Sequence, residues 1–359
     1  MSDIRITIET IDSIHPHPNA DRLEIVHILG TQTIVPKDEF QAGEKVVFFP
    51  PDILLPLEVS EDLGVQKYLK HALWDESKLP CRVAACRLRG IPSYGFITKV
   101  PELPPFPCYE HDLTAYYNAR KYEPPVKLTM GGDAMAEPVN FPRYTDIQHY
   151  YRYADVIPPG TPVRVTEKTH GTNCRLGCIN VDGLMGFVCG SHRTAQKERN
   201  AQGQPSLYWE PLNSDPKVQT ALQTLGVMGD TIIYCEIFGP GIQDMDYGVR
   251  QGKVSFRVFD ISINGRYLNW SDLHTYCVGF GLQLVPTIFV GPFDPEKIQE
   301  WTNGPTLLAE PDKIKAKFKG REGCVITPLT EMYNPDLGRV VLKSVSADYL
   351  DRKGALDNA

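Results

Sequence analysis

Apolar and polar positions in the first hundred residues alternate in short runs: Ile4 to Ile11, Leu23 to Leu29, Lys45 to Phe49, Cys81 to Leu88 and Tyr94 to Lys99. Turn residues separate these runs at short intervals, which predicts a small antiparallel barrel or sandwich rather than strands joined by helical crossovers. Glu61 to Trp74 reads as a short helix or an excursion from that barrel. From Pro101 to about Pro142 repeated prolines and Gly131-Gly132 break the pattern, as in a linker, with a helix near Leu113 to Lys121. Beyond it the runs Val163 to Lys168, Leu184 to Cys189, Thr231 to Ile237, Val254 to Ile261, Gly323 to Thr327 and Arg339 to Lys343 predict strands. Asp215 to Leu225, Trp270 to Gly281 and Pro295 to Trp301 predict helices, and the mixture is that of an α+β domain on antiparallel sheets. The expected divisions are a domain over 1–110, a linker over 111–139 and a second domain over 140–359.

A chain of 359 residues is long enough for two or three self-supporting cores. No apolar run approaches the roughly 18 to 20 residues of a membrane span, which excludes a helical membrane protein. Lys+Arg 37 against Asp+Glu 44 leaves a net charge of -7, which argues against a broad basic surface coating nucleic acid and permits a local basic groove. The nine cysteines form no CxxC pair and no Cys/His grouping with zinc spacing. Most have apolar neighbours, as in Phe187-Val188-Cys189, so they read as reduced buried thiols of a cytoplasmic or other reducing intracellular compartment. The start, Met1-Ser2-Asp3-Ile4-Arg5, has neither the basic nor the apolar region of a secretory leader.

The most informative stretch runs from Val163 to Asn173. Lys168 ends an apolar strand and is followed by His170-Gly171-Thr172-Asn173, a turn in which glycine lets backbone approach a ligand and small polar groups face a phosphate or sugar. Alone, Lys-x-x-Gly describes many solvated hairpin lysines. An ordered series downstream changes its weight: Arg193 after the next strand, Glu236 before Phe238-Gly239-Pro240-Gly241, Phe259-Asp260, Arg321-Glu322-Gly323, and Lys343 after Arg339-Val340-Val341-Leu342.

These segments resemble, in order, the motifs of the covalent nucleotidyltransferases, the superfamily of polynucleotide ligases and mRNA capping enzymes. Glu167-Lys168-Thr169-His170-Gly171-Thr172-Asn173 is similar to the RNA-ligase-2-like and editing-ligase form, as is Glu236 to Gln243. Six ordered matches across about 180 residues are specific. The resemblance implies an antiparallel α+β nucleotidyltransferase domain, ATP-grasp-like, in which Lys168 becomes adenylylated and Lys343 meets the α-phosphate. Glu167, His170, Gly171, Asn173, Arg193, Glu236, Phe259 and Asp260 would surround the nucleotide, with Arg193 on phosphate, Glu236 on the ribose and Phe259 on the base. Glu322 would hold Mg²⁺ or Mn²⁺, directly or through water, as suits a hard cation that prefers oxygen. One departure is Val341, where the family often has a further lysine; either Arg339 supplies that charge or it is dispensable. A free lysine of pKa ~10.4 is neutral in only about one molecule in a thousand near pH 7.4, so a metal and Lys343 would be needed to activate it.

The N-terminal half has its own signature. His17-Pro18-Asn19-Ala20-Asp21-Arg22 followed by Arg87-Leu88-Arg89-Gly90-Ile91-Pro92-Ser93-Tyr94-Gly95 resembles the OB-fold tRNA-binding domains of aminoacyl-tRNA synthetases. Arg82, Arg87 and Arg89 then read as alternate cations along one strand tracking a phosphate backbone; the competing reading is a pinned loop and a barrel corner. Lys313 to Arg321, with alternating cations, reads either as a phosphate-binding edge or as a solvated helical face.

A β-barrel OB-fold ahead of the transferase domain resembles the Deinococcus-type RNA ligases. That resemblance implies an ATP-dependent RNA ligase joining 3′-OH and 5′-phosphate ends, preferring nicked duplexes, acting without membrane contact as a monomer. A GTP-dependent capping-type guanylyltransferase and an RNA-binding module with an inactive transferase domain are the alternatives.

Overall fold

The computed structural model describes residues 4–74, 77–102, 111–122, 133–315 and 318–350. The chain divides into two compact units, Ser2–Pro125 and Val126–Tyr349. In the first, the strands Thr7–Thr10, Lys45–Phe49 and Phe96–Lys99 form one antiparallel sheet with Lys45–Phe49 in the centre. Ser13–Pro16, Leu23–Ile28 and Thr31–Pro36 form a meander, and Cys86–Leu88 and Ile91–Ser93 a hairpin. Ile53–Leu54, Lys70–Trp74, Ser77–Arg82 and Arg120–Lys121 make a fourth sheet. Side chains alternate across a strand, so Val46 and Phe48 enter a core with Val26, Ile28 and Ile97, while Val47 and Phe49 enter another with Ile6, Ile53 and Leu113. That double burial explains why Lys45–Phe49 reads as an unbroken apolar run after its lysine.

Two expectations for this half need correction. The helix falls at Leu57–Asp62 and is followed by a strand at Lys70–Trp74, so Glu61 to Trp74 is mostly not helical. Leu113 to Lys121 is a turn and a short strand, with Asn118 at φ +46°. Tertiary pairing overrides its helical pattern: Leu113 N–H donates to Ile6 O (2.8 Å), Ile8 N–H to His111 O (2.9 Å), and Leu113 and Tyr117 are buried in the core. Much of the proline-rich stretch lies outside the described residues.

The second unit holds two large sheets and a two-stranded ribbon, Tyr333–Asn334 with Gly338–Arg339. One is six-stranded, in the order Ala195–Gln196, Leu184–Ser191, Thr172–Val181, Thr231–Phe238, Ser255–Ile263, Arg266–Tyr267, all antiparallel. The helices Pro216–Gly226 and Trp270–Phe280 cover one face, where Val218, Leu222, Leu225, Leu273 and Cys277 meet Cys174, Leu176, Ile233, Cys235 and Ile261. Asp215 caps the first helix by accepting the Lys217 N–H, and Gly281, at φ +67°, ends the second. The other sheet is five-stranded: Gln148–His149, Leu342–Val345, Gly323–Pro328, Pro162–Glu167, Thr287–Pro292. Its one parallel pair is Gln148–His149 with Leu342–Val345. Val163, Val165, Ile326 and Leu342 bury one face with Phe293, Ile298 and Trp301, so by alternation Arg164, Thr166 and Lys343 lie on the other. Most predicted elements recur, but Thr172–Val181 runs as a ten-residue strand directly out of the glycine turn. Arg339 to Lys343 is broken into Gly338–Arg339 and Leu342–Val345, and Pro295 to Trp301 begins as a 3-10 turn before the helix Ile298–Thr302. Of the described cysteines only Cys86 is exposed, Cys108 lying outside them. No described helix is long and apolar enough to cross a membrane.

Candidate active site

The polar face of the five-stranded sheet turns towards the face of the six-stranded one that the two helices leave, which Phe141 and Tyr144 cover in part. Arg164 reaches across, its Nη2 donating to Phe259 O at 3.1 Å. Lys168 leaves the end of its strand with its N–H donating to Gly323 O (3.0 Å), which holds it beside the start of the Gly323–Pro328 strand. Its buried Nζ donates to Glu322 Oε1 at 2.7 Å. The remaining oxygen, Glu322 Oε2, is buried, lies 3.4 Å from His170 Nδ1 and has no hydrogen-bond partner. Burial works to raise the Glu322 pKa, but the charges of Lys168 and His170 outweigh it and hold the carboxyl below its ordinary value.

Gly171 is required here. A Cβ would stand 2.2 Å from Ile237 O and 3.1 Å from Glu236 Cγ, so only glycine lets the turn press against the end of Thr231–Phe238. Asn173 pairs with Glu236 in register on the neighbouring strand, and its Oδ1 is buried without a partner. Glu236 is pushed up to about 8 by burial and by Glu322, against the pull of Lys168 and His170. With that shift its protonated form can donate as well as accept, and either form can accept from a sugar hydroxyl. Lys343 is fully buried on the polar face, opposite Val325. Arg193 stands half-buried in the Ser191 to Thr194 turn, where Ser191 Oγ accepts the N–H groups of Arg193 and Thr194. Phe259 is the extra residue of a bulge: Val258 pairs with Cys235 and Asp260 with Tyr234. Its ring meets Tyr144 edge-on, with centroids 4.8 Å apart.

Three other residues are held elsewhere. Glu167 faces away from Lys168, accepting hydrogen bonds from the Thr306 hydroxyl and the Leu307 N–H (2.7 Å). Burial raises its pKa against those bonds, and its visible role is to fasten the 306–307 loop. Asp260 Oδ2 accepts from Tyr144 (2.9 Å) and from Arg339 Nη2 (2.7 Å). Arg339 forks onto Glu331 as well, at 2.6 Å from both Nε and Nη2, so it does not supply the charge missing at Val341, which is itself fully buried. Four residues of the site carry no signal in the sequence: Asp244, Tyr247, Thr306 and Tyr349. His170 Nε2 lies 2.7 Å from Asp244 Oδ1, its N–H donates to the Tyr247 hydroxyl (2.8 Å), and the Tyr349 hydroxyl is 3.0 Å from Nδ1. Asp244 and Tyr247 sit in an irregular loop with no periodicity to expose them.

In the N-terminal unit the arginines do not share a strand. Arg82 ends Ser77–Arg82, whereas Arg87 lies in the separate hairpin, because Val83 turns inward and exchanges backbone bonds with Asp52 and Ile53. Arg82 Nε donates to Asp52 (2.8 Å) and its guanidinium stacks on Tyr122. Arg87 is exposed, and Arg89-Gly90, both at positive φ, form the hairpin turn pinned by Asn19 and His17. The described part of Lys313 to Arg321 is neither strand nor helix; Lys315 N–H donates to Asp246 and the buried Arg321 to Trp301 O, with Ala316 and Lys317 outside the described residues.

A family model described as RNA ligase matches residues 161–345, and one described as an OB-fold domain matches 5–100. Among solved structures the chain is similar to Naegleria gruberi RNA ligase in several forms. An apo alanine mutant is 22% identical over 98% of both chains with a TM-score of 0.75. The protein with PPi is 23% identical over 97% of this chain and 98% of that one, with a TM-score of 0.74. A lysine-to-alanine mutant with ATP and Mn is 22% identical over 96% and 98%, with a TM-score of 0.73. At that identity the likeness shows the fold. No curated protein sequence matches the chain.

Proposed function

This chain belongs to the RNA ligase family, and from that premise we propose that it is an ATP-dependent ligase joining RNA 3′-OH and 5′-phosphate ends, with nicked duplexes as substrate. The observation that carries the reading is the pair of buried lysines on one polar face, with Lys168 Nζ held 2.7 Å from Glu322 and facing Glu236. ATP and a divalent metal enter the reading from the solved relatives, which are described with ATP, AMP, PPi and Mn.

Lys168 Nζ attacks the α-phosphate of ATP, forming an N–P bond as the bond to pyrophosphate breaks. The 5′-phosphate of the RNA then takes the AMP from Lys168. Finally the 3′-OH attacks that activated phosphate and AMP leaves. Dividing one condensation into three displacements lowers each barrier, and positioned charges do most of the work. Lys343 lies across the sheet to neutralise phosphate oxygens, Asn173 and Glu236 offer hydrogen bonds to the nucleoside, and Phe259 offers its ring to the base. The residues fit a metal: Glu322 Oε2 and Asn173 Oδ1 are buried acceptors without partners. When bound there, Mg²⁺ or Mn²⁺ would offset charge on the phosphates and favour the neutral amine. The N-terminal unit places RNA, and the division of labour follows the two units, with the boundary between 110 and 140.

Incubating the protein with radiolabelled ATP or GTP and Mg²⁺ tests the reading. We expect an adduct from ATP alone that is stable to alkali and labile to acid, as a phosphoramidate is, and that Lys168→Ala abolishes. Labelling from GTP instead would favour the capping-type enzyme, and labelling of the alanine variant would remove Lys168 as the nucleophile.

A further inference from the structure

We propose that Glu137 is a positioning residue for Arg193: with Arg175 it clamps both ends of the turn that presents this arginine, an inference that rests on the reading in which Arg193 meets a phosphate of the nucleotide. Glu137 lies between the matched segments 5–100 and 161–345, in a stretch that pattern alone assigns to a linker. In the fold that stretch is bound to the six-stranded sheet. Met135 N–H donates to Ala195 O (3.0 Å), Lys197 N–H donates to Asp133 O (2.8 Å), and Ala134 bridges Gln196 in the antiparallel sense. The segment thus continues the sheet past its edge strand, Ala195–Gln196.

Arg193 sits in a tight turn. Gly190 and Ala195 face each other across its base, where a Cβ on Gly190 would stand 2.6 Å from Thr194 O and 2.9 Å from Ala195 Cα. Within the turn, Ser191 N–H donates to Thr194 O (2.9 Å). A guanidinium–carboxylate pair ties both of its ends to the sheet. Arg175, fully buried and opposite Gly190 on the next strand, donates from Nε to Ser191 O at 2.7 Å, at the first end. Its Nη1 donates to Glu137 Oε1 (2.6 Å), and Glu137 Oε2 accepts the Ala195 N–H (2.7 Å) at the other end. Phe141 fixes the guanidinium in turn, accepting from Nη1 at its carbonyl (2.6 Å) and lying under it with the ring centroid 4.3 Å away. One chain of hydrogen bonds, Ser191 to Arg175 to Glu137 to Ala195, therefore closes around residues 191–195, with Arg193 at the middle. Charge-assisted bonds hold such a geometry tightly. Loss of the carboxylate releases the Ala195 end, and a shift of about 1 Å there is enough to weaken a contact with phosphate.

A double-mutant cycle in the full-length protein tests this, reading single-turnover adenylylation with ATP and Mg²⁺ as maximal rate over half-saturating ATP. Arg193→Ala should lower that quotient about tenfold or more, and Glu137→Ala about three- to tenfold, as the loss of charge-assisted hydrogen bonds does. In the Arg193→Ala background Glu137→Ala should change it by less than about twofold, because the carboxylate then has no arginine left to place. The Glu137 side chain is 34% exposed, so its removal leaves the core closed. Glu137→Gln, which keeps the shape and turns one acceptor into a donor, runs through the same cycle with the same coupling expected, and decides the matter should the alanine variant not fold. A wild-type value in Glu137→Ala overturns the proposal, and so does an equal loss in both backgrounds, which marks a brace that does not act through Arg193. A wild-type value in Arg193→Ala overturns the phosphate reading of Arg193 and this inference together, while the Lys168 adduct forming there leaves the adenylylation reading standing. Wild-type protein that forms no adduct from ATP overturns that reading itself.

Discussion

Two buried cation–carboxylate groups span the ligase unit, and they are built to opposite ends. Around Arg339 the Nε and Nη2 donors go to Glu331 and Asp260, Tyr144 adds a hydroxyl on Asp260, and the guanidinium lies 3.6 Å from the Tyr267 ring centroid, with Nη1 alone making no hydrogen bond. Around Lys168 a single short contact joins it to Glu322, whose second oxygen has no hydrogen-bond partner, and the Asn173 oxygen on the strand beside Glu236 has none either. Buried polar atoms are ordinarily paired, and what separates the two groups is the kind left over: one donor on a guanidinium held by two carboxylates, against oxygen acceptors on Glu322 and Asn173 of the sort a cation or a nucleoside can use.

The comparison breaks first at Arg339. Arg339→Met leaves two buried carboxylates without their shared partner and should cost about 3–5 kcal/mol in urea unfolding. Lys168→Met should cost less, under about 2 kcal/mol, because one carboxylate can take up a proton and neutralise itself. Equal losses would mean that Lys168 braces the fold as Arg339 does.

Glu236 sharpens the same contrast through pH. Its pKa is about 8 in the folded protein against an ordinary 4.5, so between those values the folded state holds a proton that the unfolded chain has released. Its contribution to stability is present in full below about pH 4.5 and is lost as pH rises through about 8, with a slope of at most about 1.4 kcal/mol per pH unit. Glu236→Gln should flatten that part of the decline in ligand-free protein, making the variant gain on the wild type from pH 5 to 8. A constant difference across that range would show that Glu236 is ionised throughout.

The N-terminal unit carries the distinction at smaller scale. Arg82 is fastened to Asp52 and Tyr122, whereas Arg87 is exposed. Arg82→Ala should therefore lower stability by about 1–2 kcal/mol and leave the salt dependence of RNA binding alone. Arg87→Ala with Arg89→Ala should reduce the slope of log K against log salt by roughly 1.4 to 1.8, with Tm unchanged. A flat response from the pair would leave the hairpin as a barrel corner.

Legibility in the unfolded chain divides along the same line. Lys168, Gly171, Asn173, Glu236, Glu322 and Lys343 stand out in the sequence because each lies at or near a strand end within an ordered series, and the structure sets Lys168 on Glu322, Gly171 and Asn173 beside Glu236, and Lys343 on the strand next to Gly323–Pro328. Residues whose role depends on a distant partner do not. Nothing near Arg339 in sequence announces Asp260, and nothing near Tyr349 announces His170, 179 positions away. Helical pattern at Leu113 to Lys121 lost to the unpaired backbone of Ile6 and Ile8, and the regular spacing of Arg82 and Arg87 hid the inward turn of Val83 between them.

The doubly buried strand Lys45–Phe49 bears on how the chain is made. Its partners are Thr7–Thr10, synthesised before it, and Phe96–Lys99, synthesised about fifty residues after it. Both cores take side chains from it, so neither can close on the ribosome until the third strand has emerged. Such long-range pairing makes for slow folding, and until it is complete the apolar run Val46 to Phe49 stands open on the nascent chain.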